Sequence, residues 1–138
     1  ADLEAVVQRT LAPHVEGEPE RLDVRLEPLL LEPGTAQSLS LALHELATNA
    51  IKYGAWSVPG GRVELEGKVL GTRGLALTWR ESGGPSVEAP QRRGFGSLLL
   101  SRAFAYETGG KVELDWRREG LICHIALPSV GHVTESAA

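Results

Sequence analysis

One segment constrains the fold of this 138-residue chain more than any other. From residue 36 the sequence reads AQSLSLALHELATNAIKYG, with apolar residues recurring every three or four positions. That period predicts an amphipathic α-helix from near Ala36 to Gly54, with Thr35 as its N-cap. Glu32-Pro33-Gly34 is expected to turn the chain just before it. The helix therefore presents an apolar face to a core.

A polar stripe runs beside that apolar face. At about 100° per residue its members fall within an arc of roughly 100°. They are Glu45, Asn49, Lys52 and Tyr53. The side-chain carbonyl oxygen of Asn49 and the carboxylate of Glu45, one turn earlier, are ligands of the kind that Mg²⁺ prefers. Lys52 can neutralise phosphate charge, and Tyr53 can pack against a base or ribose. The alternative is an ordinary solvated helix face.

The remaining periodicities predict a two-layer fold. Helices are expected over residues 2–11 and 98–109, and strands over 22–26, 63–69, 75–79, 111–116 and 121–127, the last two joined by the hairpin turn RREG. This order predicts an α/β (α+β) sandwich, a mixed sheet with helices on one face. We expect a single domain over 1–128 and a frayed tail over 129–138.

Composition excludes several classes of protein. The net charge of −4 argues against a broad nucleic-acid surface. A single cysteine, Cys123, cannot form an intrachain disulfide or a Cys-rich metal site. No apolar run approaches the roughly 20 residues that a membrane helix needs, so a cytoplasmic location without membrane contact is expected. The chain lacks methionine and begins with Ala1, which predicts a piece of a longer protein.

A second group of motifs lies between the predicted strands. GFGS, residues 94–97, precedes a predicted helix whose first backbone N–H groups lack partners and attract phosphate. Arg92 and Arg93 stand beside it, where cations would help to hold a polyphosphate. Glu81 is expected just after the end of a strand, a common ligand position in α/β sheets. An ordinary flexible turn is the alternative for the Gly-x-Gly.

Together these motifs resemble a known family. HELATNAIKYG at 44–54, WRESGGP at 79–85 and GFGS at 94–97 look like the ATP-binding catalytic domain of HWE-type sensor histidine kinases. Those kinases belong to the superfamily of gyrase, chaperone, histidine kinase and mismatch-repair ATPases, which shares the Bergerat fold. The resemblance covers residues 35–128.

The resemblance implies a role for each motif residue. Asn49 would ligate Mg²⁺ with Glu45 beside the ion, and Lys52 would contact phosphate. Tyr53 would line the nucleotide. Glu81 would accept a hydrogen bond from the adenine amino group, where most relatives of the superfamily carry Asp. Residues further along would admit the base or hold phosphate: Gly83, Arg93, Gly94, Phe95, Gly96 and Ser97.

The implied function is that of a kinase module. It would bind Mg-ATP and transfer the γ-phosphoryl group to a histidine on a separate dimerisation domain absent from this chain, so that the fragment alone is inactive. A response regulator would act downstream. The alternatives are an anti-sigma-type serine kinase or ATPase module of the same fold, and a degenerate nucleotide-sensing domain. The sequence does not decide whether the short lid, residues 82–93, closes over the γ-phosphate of ATP.

Other notable residues receive simpler interpretations. His44 is a signature residue of the resemblance, and either a structural hydrogen bond or a part in the phosphate site would explain it. His14 is disfavoured as a phosphoacceptor because the prolines around it forbid a long helix. Cys123, Trp79 and Trp116 are expected in the core, because each falls on the same face of its strand as the apolar residues. His124 is expected on the opposite face of the sheet.

Overall fold

The structure is a computed structural model that describes residues 1–85 and 109–133. Within these ranges the regular elements are helices α1 (Leu3–Leu11) and α2 (Pro33–Lys52) and strands β1 (Leu22–Leu26), β2 (Leu30–Leu31), β3 (Arg62–Leu70), β4 (Gly74–Ser82), β5 (Lys111–Arg117), β6 (Gly120–Leu127) and β7 (Gly131–His132). Short 3₁₀ turns occupy Ala12–Val15, Pro19–Arg21 and Ala55–Ser57.

The sheet is mixed, as the sequence predicts. Its five strands run in the order β1-β3-β4-β6-β5, with β1 parallel to β3 and every other neighbouring pair antiparallel. The parallel pair is joined through α2, the long crossover that a parallel connection requires. A separate two-stranded sheet pairs β2 with β7.

One hydrophobic core joins the helices to one face of the sheet. On β3 every second side chain is buried or half-buried, and the intervening ones, such as Glu64 and Glu66, are exposed. Leu43 of α2 and Leu77 of β4 are almost inaccessible and belong to the same buried cluster. The predicted sandwich with helices on one face is confirmed. Within the described residues, neither helix is long and apolar enough to cross a bilayer.

Helix α2 begins earlier than the sequence analysis predicts. Pro33 occupies its first turn, where the missing N–H costs nothing, and Glu32 precedes it without a side-chain cap. The predicted turn at residues 32–34 and the predicted cap at Thr35 are therefore wrong, since Thr35 lies inside the first turn. The predicted apolar face is confirmed, with Leu39 and Leu43 fully buried.

Strand β4 is longer than predicted, and this matters for the site. It pairs with β3 as far as Ser82, so that Glu81 lies opposite Val63 inside the strand. The expectation that Glu81 follows the end of a strand is wrong.

The hairpin turn between β5 and β6 is also tighter than the predicted four residues, because Arg117 already pairs with Gly120.

The C-terminal segment is anchored in its first part. Val130 is buried, and Gly131 pairs with Leu31. The predicted fraying is therefore wrong for residues 130–132. Residues 134–138 and the predicted helix over 98–109, apart from Gly109, lie outside the described residues.

Candidate functional site

The polar stripe of α2 is graded in exposure. Asn49 is 3% exposed and Glu45 is half-buried, whereas Lys52 and Tyr53 are exposed. A buried amide beside exposed cationic and aromatic side chains differs from a uniformly solvated face. The stripe thus runs from a buried amide to an exposed amine and an exposed ring at the C-terminal end of α2.

The chain leaves α2 in a tight turn that leads directly to the buried acid. The backbone N–H groups of Tyr53 and Gly54 both donate to the backbone carbonyl of Asn49, at 2.8 and 3.1 Å. A Cβ on Gly54 would overlap Oε1 of Glu81. Glycine is thus needed where the end of α2 meets the Glu81 carboxylate, and the two predicted motifs meet at this point.

The Glu81 carboxylate is buried and accepts two hydrogen bonds. Its side chain is 3% exposed. Oε1 accepts from the Ala55 N–H at 3.1 Å, and Oε2 accepts from the indole Nε1–H of Trp79 at 3.0 Å. A buried carboxylate requires such donors. Because each carboxylate oxygen has two lone pairs, capacity for a further donor remains.

Two glycines after β4 lie flat against the segment that follows α2. Gly83 has a positive φ of 73°, and a Cβ there would lie 2.9 Å from the Gly60 carbonyl oxygen. A Cβ on Gly84 would lie 2.6 Å from the Cα of Ala55. The positive φ and this close approach are sufficient to require glycine at position 83. Gly83 is also exposed, so a flat ring could approach its backbone.

Arg21 organises the segment 54–61, which carries the Ala55 donor. Its guanidinium donates to the carbonyls of Val58 at 2.6 Å, Gly61 at 3.0 Å and Ala55 at 3.4 Å. It also forms an ion pair with Glu18 at 3.2 Å. The rigid fork of Arg suits several carbonyls at once. No sequence signal near Arg21 indicates this role, because its partners lie 34–40 residues away.

A row of rings connects the acid to the helix surface. The Trp79 ring packs edge-on to Trp56 with centroids 5.8 Å apart, and Trp56 stacks on His14 at 6.3 Å. His14 in turn lies 5.6 Å from His44, which is exposed on α2. His14 belongs to a 3₁₀ turn, not a long helix, in agreement with its rejection as a phosphoacceptor. His44 thus lies beside His14.

Burial changes the titration of two groups near this row. Desolvation, and secondarily the nearby His44, lower the pKa of His14 below its ordinary value of 6.5. Desolvation, and secondarily the Glu81 charge, raise the pKa of the Cys123 thiol to about 12. Cys123 lies opposite Trp79 in the sheet and is buried as predicted, so it is a neutral core residue at physiological pH.

Comparison with known proteins gives the family. The chain is 41% identical over 108 residues to a blue-light-activated histidine kinase of Brucella anthropi, a match that covers 76% of this chain and 22% of that protein. It is 34% identical over 131 residues to the blue-light-activated histidine kinase of Brucella ovis, covering 93% of this chain and 27% of that protein. The chain is a histidine kinase catalytic domain. No protein-family model matches it.

Solved structures show the same fold. The mycobacterial sensor histidine kinase MprB superposes with a TM-score of 0.71 at 22% identity, covering 95% of this chain and 98% of that one. The blue-light-activated histidine kinase EL346 of Erythrobacter litoralis gives 0.72 at 20% identity, over 92% of this chain and 40% of that one. At such identities the likeness concerns the fold, which is that of histidine kinase catalytic domains.

Two of the described side chains carry oxygen atoms of the kind that Mg²⁺ prefers. Asn49 and Glu45 offer hard oxygen atoms one helical turn apart. Among the described residues, no group of three or more His, Cys, Asp or Glu side chains could hold a metal by itself. Mg²⁺ commonly takes only one or two protein ligands when it bridges phosphates.

The remaining predicted site residues lie outside the described ranges. They are Arg93, Gly94, Phe95, Gly96 and Ser97, together with Arg92. Within the described ranges the structure brings Glu81 against the end of α2, which also carries Asn49, Lys52 and Tyr53. Sequence reasoning missed Gly54, the Ala55 N–H and Arg21. The Trp79 donor could have been anticipated, because residues i and i+2 of a strand point to the same face.

Proposed function

We propose that this catalytic domain binds Mg-ATP between the C-terminal end of α2 and the end of β4. The observation that carries the proposal is the buried Glu81 carboxylate, held by Ala55 and Trp79 directly beside the turn that ends α2. A carboxylate accepts from the 6-amino group of adenine and would oppose the carbonyl oxygen of guanine. Glu81 would thereby select the base.

The residues of α2 would bind the phosphate end. Asn49 and Glu45 would hold the magnesium ion directly or through its waters, and Lys52 would place a positive charge near phosphate. Tyr53, half-exposed at 43%, would line the nucleotide. The bound ion would neutralise charge on the phosphate oxygens. Gly83 would admit the base, and residues 93–97 are proposed to complete the phosphate site.

The reaction proposed for the whole protein is phosphoryl transfer to histidine. The bond between the γ-phosphorus and its bridging oxygen breaks, a bond to an imidazole nitrogen forms, and ADP leaves. The acceptor would lie on a dimerisation domain outside this chain, and a response regulator would receive the group next. Positioning and charge neutralisation supply most of such catalysis. Family membership favours this over the serine kinase alternative, and a cytoplasmic location stays a prediction.

The first test is the variant Asn49→Ala. We expect it to weaken Mg-ADP binding at least about tenfold, to the level seen with ADP in EDTA, because it removes the proposed metal ligand; tenfold corresponds to about 1.4 kcal/mol. Calorimetric titration measures the affinity, and circular dichroism checks the fold. Thr48→Ala is the matched control, since Thr48 neighbours Asn49 and its hydroxyl donates to the backbone carbonyl of His44 within the same helix. Undiminished Mg-ADP binding by Asn49→Ala would contradict the metal assignment.

A further inference from the structure

Trp79 has a contact that a core residue does not need. Its side chain is 1% exposed, and its ring packs against Trp56. Its indole N–H donates to Oε2 of Glu81 at 3.0 Å. Phenylalanine or leucine would fill a core position without introducing a polar atom that needs a partner. The indole thus supplies the acid with a donor from inside the sheet.

The two donors to Glu81 differ in origin. The Ala55 N–H belongs to the backbone and comes from the segment after α2, whereas the indole N–H comes from the same strand as the acid, two residues earlier. Together they engage both carboxylate oxygens. Hydrogen bonds to both oxygens fix the orientation of the carboxylate plane. Each carboxylate oxygen keeps a further lone pair that can accept a hydrogen bond from a ligand.

We propose that Trp79 is a positioning residue for base selection: with Ala55 it fixes Glu81 as a hydrogen-bond acceptor, and thereby sets the preference for 6-amino purines over 6-oxo purines. This inference rests on the proposed function, since Glu81 selects a base only if the site binds a nucleotide. Trp79 itself is too buried to touch the ligand, so its effect passes through Glu81. Without the indole N–H, Oε2 loses its donor, and the carboxyl group is free to rotate.

The chain offers a matched control in Trp56. It is 6% exposed, packs in the same core, and donates its own indole N–H at 3.0 Å to the Arg21 carbonyl, not to Glu81. Trp56→Phe therefore removes a buried indole and one hydrogen bond, as Trp79→Phe does. A general loss of core packing would affect nucleotide binding similarly in both variants, whereas a positioning role separates them.

The experiment is calorimetric titration of the 138-residue chain, wild type and both variants, with ADP and with inosine diphosphate in the presence of Mg²⁺. Inosine diphosphate differs from ADP at the 6-position, where it carries oxygen, and at N1, which carries hydrogen. We expect the wild type to favour ADP at least about tenfold. In Trp79→Phe this ratio should fall at least about fivefold, mainly through weaker ADP binding. Trp56→Phe keeps both donors to Glu81, so the ratio should stay within about twofold of the wild type even if the affinity for both nucleotides falls.

The outcomes separate the inference from the proposed function. Trp79→Phe that keeps the wild-type ratio would overturn the inference and leave the proposed function intact. If the wild type itself binds ADP and inosine diphosphate equally, or if Glu81→Gln leaves the ratio unchanged, base selection by Glu81 is wrong and the inference falls with it. If Trp79→Phe does not fold, β-(3-benzothienyl)alanine at position 79 keeps the bicyclic ring without the N–H and gives the same test.

Discussion

At the scale of single residues, Glu81 has hydrogen-bond partners that the sequence motif does not name. The sequence predicts this acid as the base-contacting residue, and the structure buries it between a backbone N–H and an indole N–H. The first of these partners could not be predicted, since Ala55 lies 26 residues away and an alanine carries no sign of its backbone donor. Motif reading finds the chemical group, and only the tertiary fold supplies the groups that orient it.

His14 provides a residue-scale prediction about pH. Its pKa in the folded chain is lowered below 6.5 by burial and by His44, so the unfolded chain binds more protons as pH falls through 6.5. This contribution to stability is complete above that pH and is lost below it. We expect the free energy of unfolding to decrease less between pH 7.5 and 5.5 in His14→Phe, which keeps a ring against Trp56, than in the wild type.

Urea unfolding at the two pH values measures this difference. His124→Gln serves as the control, because His124 is exposed on the outer face of the sheet. The account is wrong on this point if His14→Phe and the wild type lose the same free energy on acidification while the control behaves like the wild type.

At the scale of elements, sequence periodicity locates the helices and strands but not all of their ends. Strand β4 runs on through Arg80, Glu81 and Ser82 because β3 pairs with it there, although these residues are polar and break the apolar alternation. Helix α2 starts at Pro33 because proline is well tolerated in a first turn. Both errors arise where a long-range pairing or a terminal preference outweighs the local pattern.

The segment between α2 and β3 gives an element-scale prediction. Arg21 holds residues 55–61 through three carbonyls, with its side chain 17% exposed. Arg21→Met leaves these carbonyls without that donor, and we expect it to lower the free energy of unfolding by about 1–3 kcal/mol. Nucleotide affinity should fall as well, because the Ala55 N–H that orients Glu81 belongs to this segment.

Arg25→Met is the control for this prediction. Arg25 lies on strand β1, its side chain is 72% exposed, and it forms an ion pair with exposed Asp23. Such an ion pair contributes at most about 1 kcal/mol. Urea unfolding measures the stability of both variants, and titration with ADP measures their nucleotide affinity. Equal losses in Arg21→Met and Arg25→Met would mean that the bonds from Arg21 to the segment 55–61 do not support the fold or the site.

At the scale of the whole molecule, the order of elements along the chain is enough to predict a sandwich with helices on one face. It does not predict the strand order β1-β3-β4-β6-β5 or the small sheet that ties Gly131 to Leu31. The pairings β1–β3, β4–β6 and β2–β7 join residues far apart in the sequence, whereas β3–β4 and β5–β6 are local hairpins. That fold places the end of α2 against β4 and so brings two separate motifs into contact.

The most direct measurement of the central claim is calorimetric titration of this chain with Mg-ADP, with Mg-GDP and with ADP in EDTA. The account predicts binding that requires adenine and weakens without the metal, since Glu81 would read the base and Asn49 with Glu45 would hold the ion. Equal affinity for Mg-ADP and Mg-GDP would contradict the assignment of Glu81, and equal affinity for ADP with and without the metal would contradict that of Asn49 and Glu45. No binding under any of the three conditions would contradict the claim that this domain, by itself, forms a nucleotide site, and would favour the degenerate alternative.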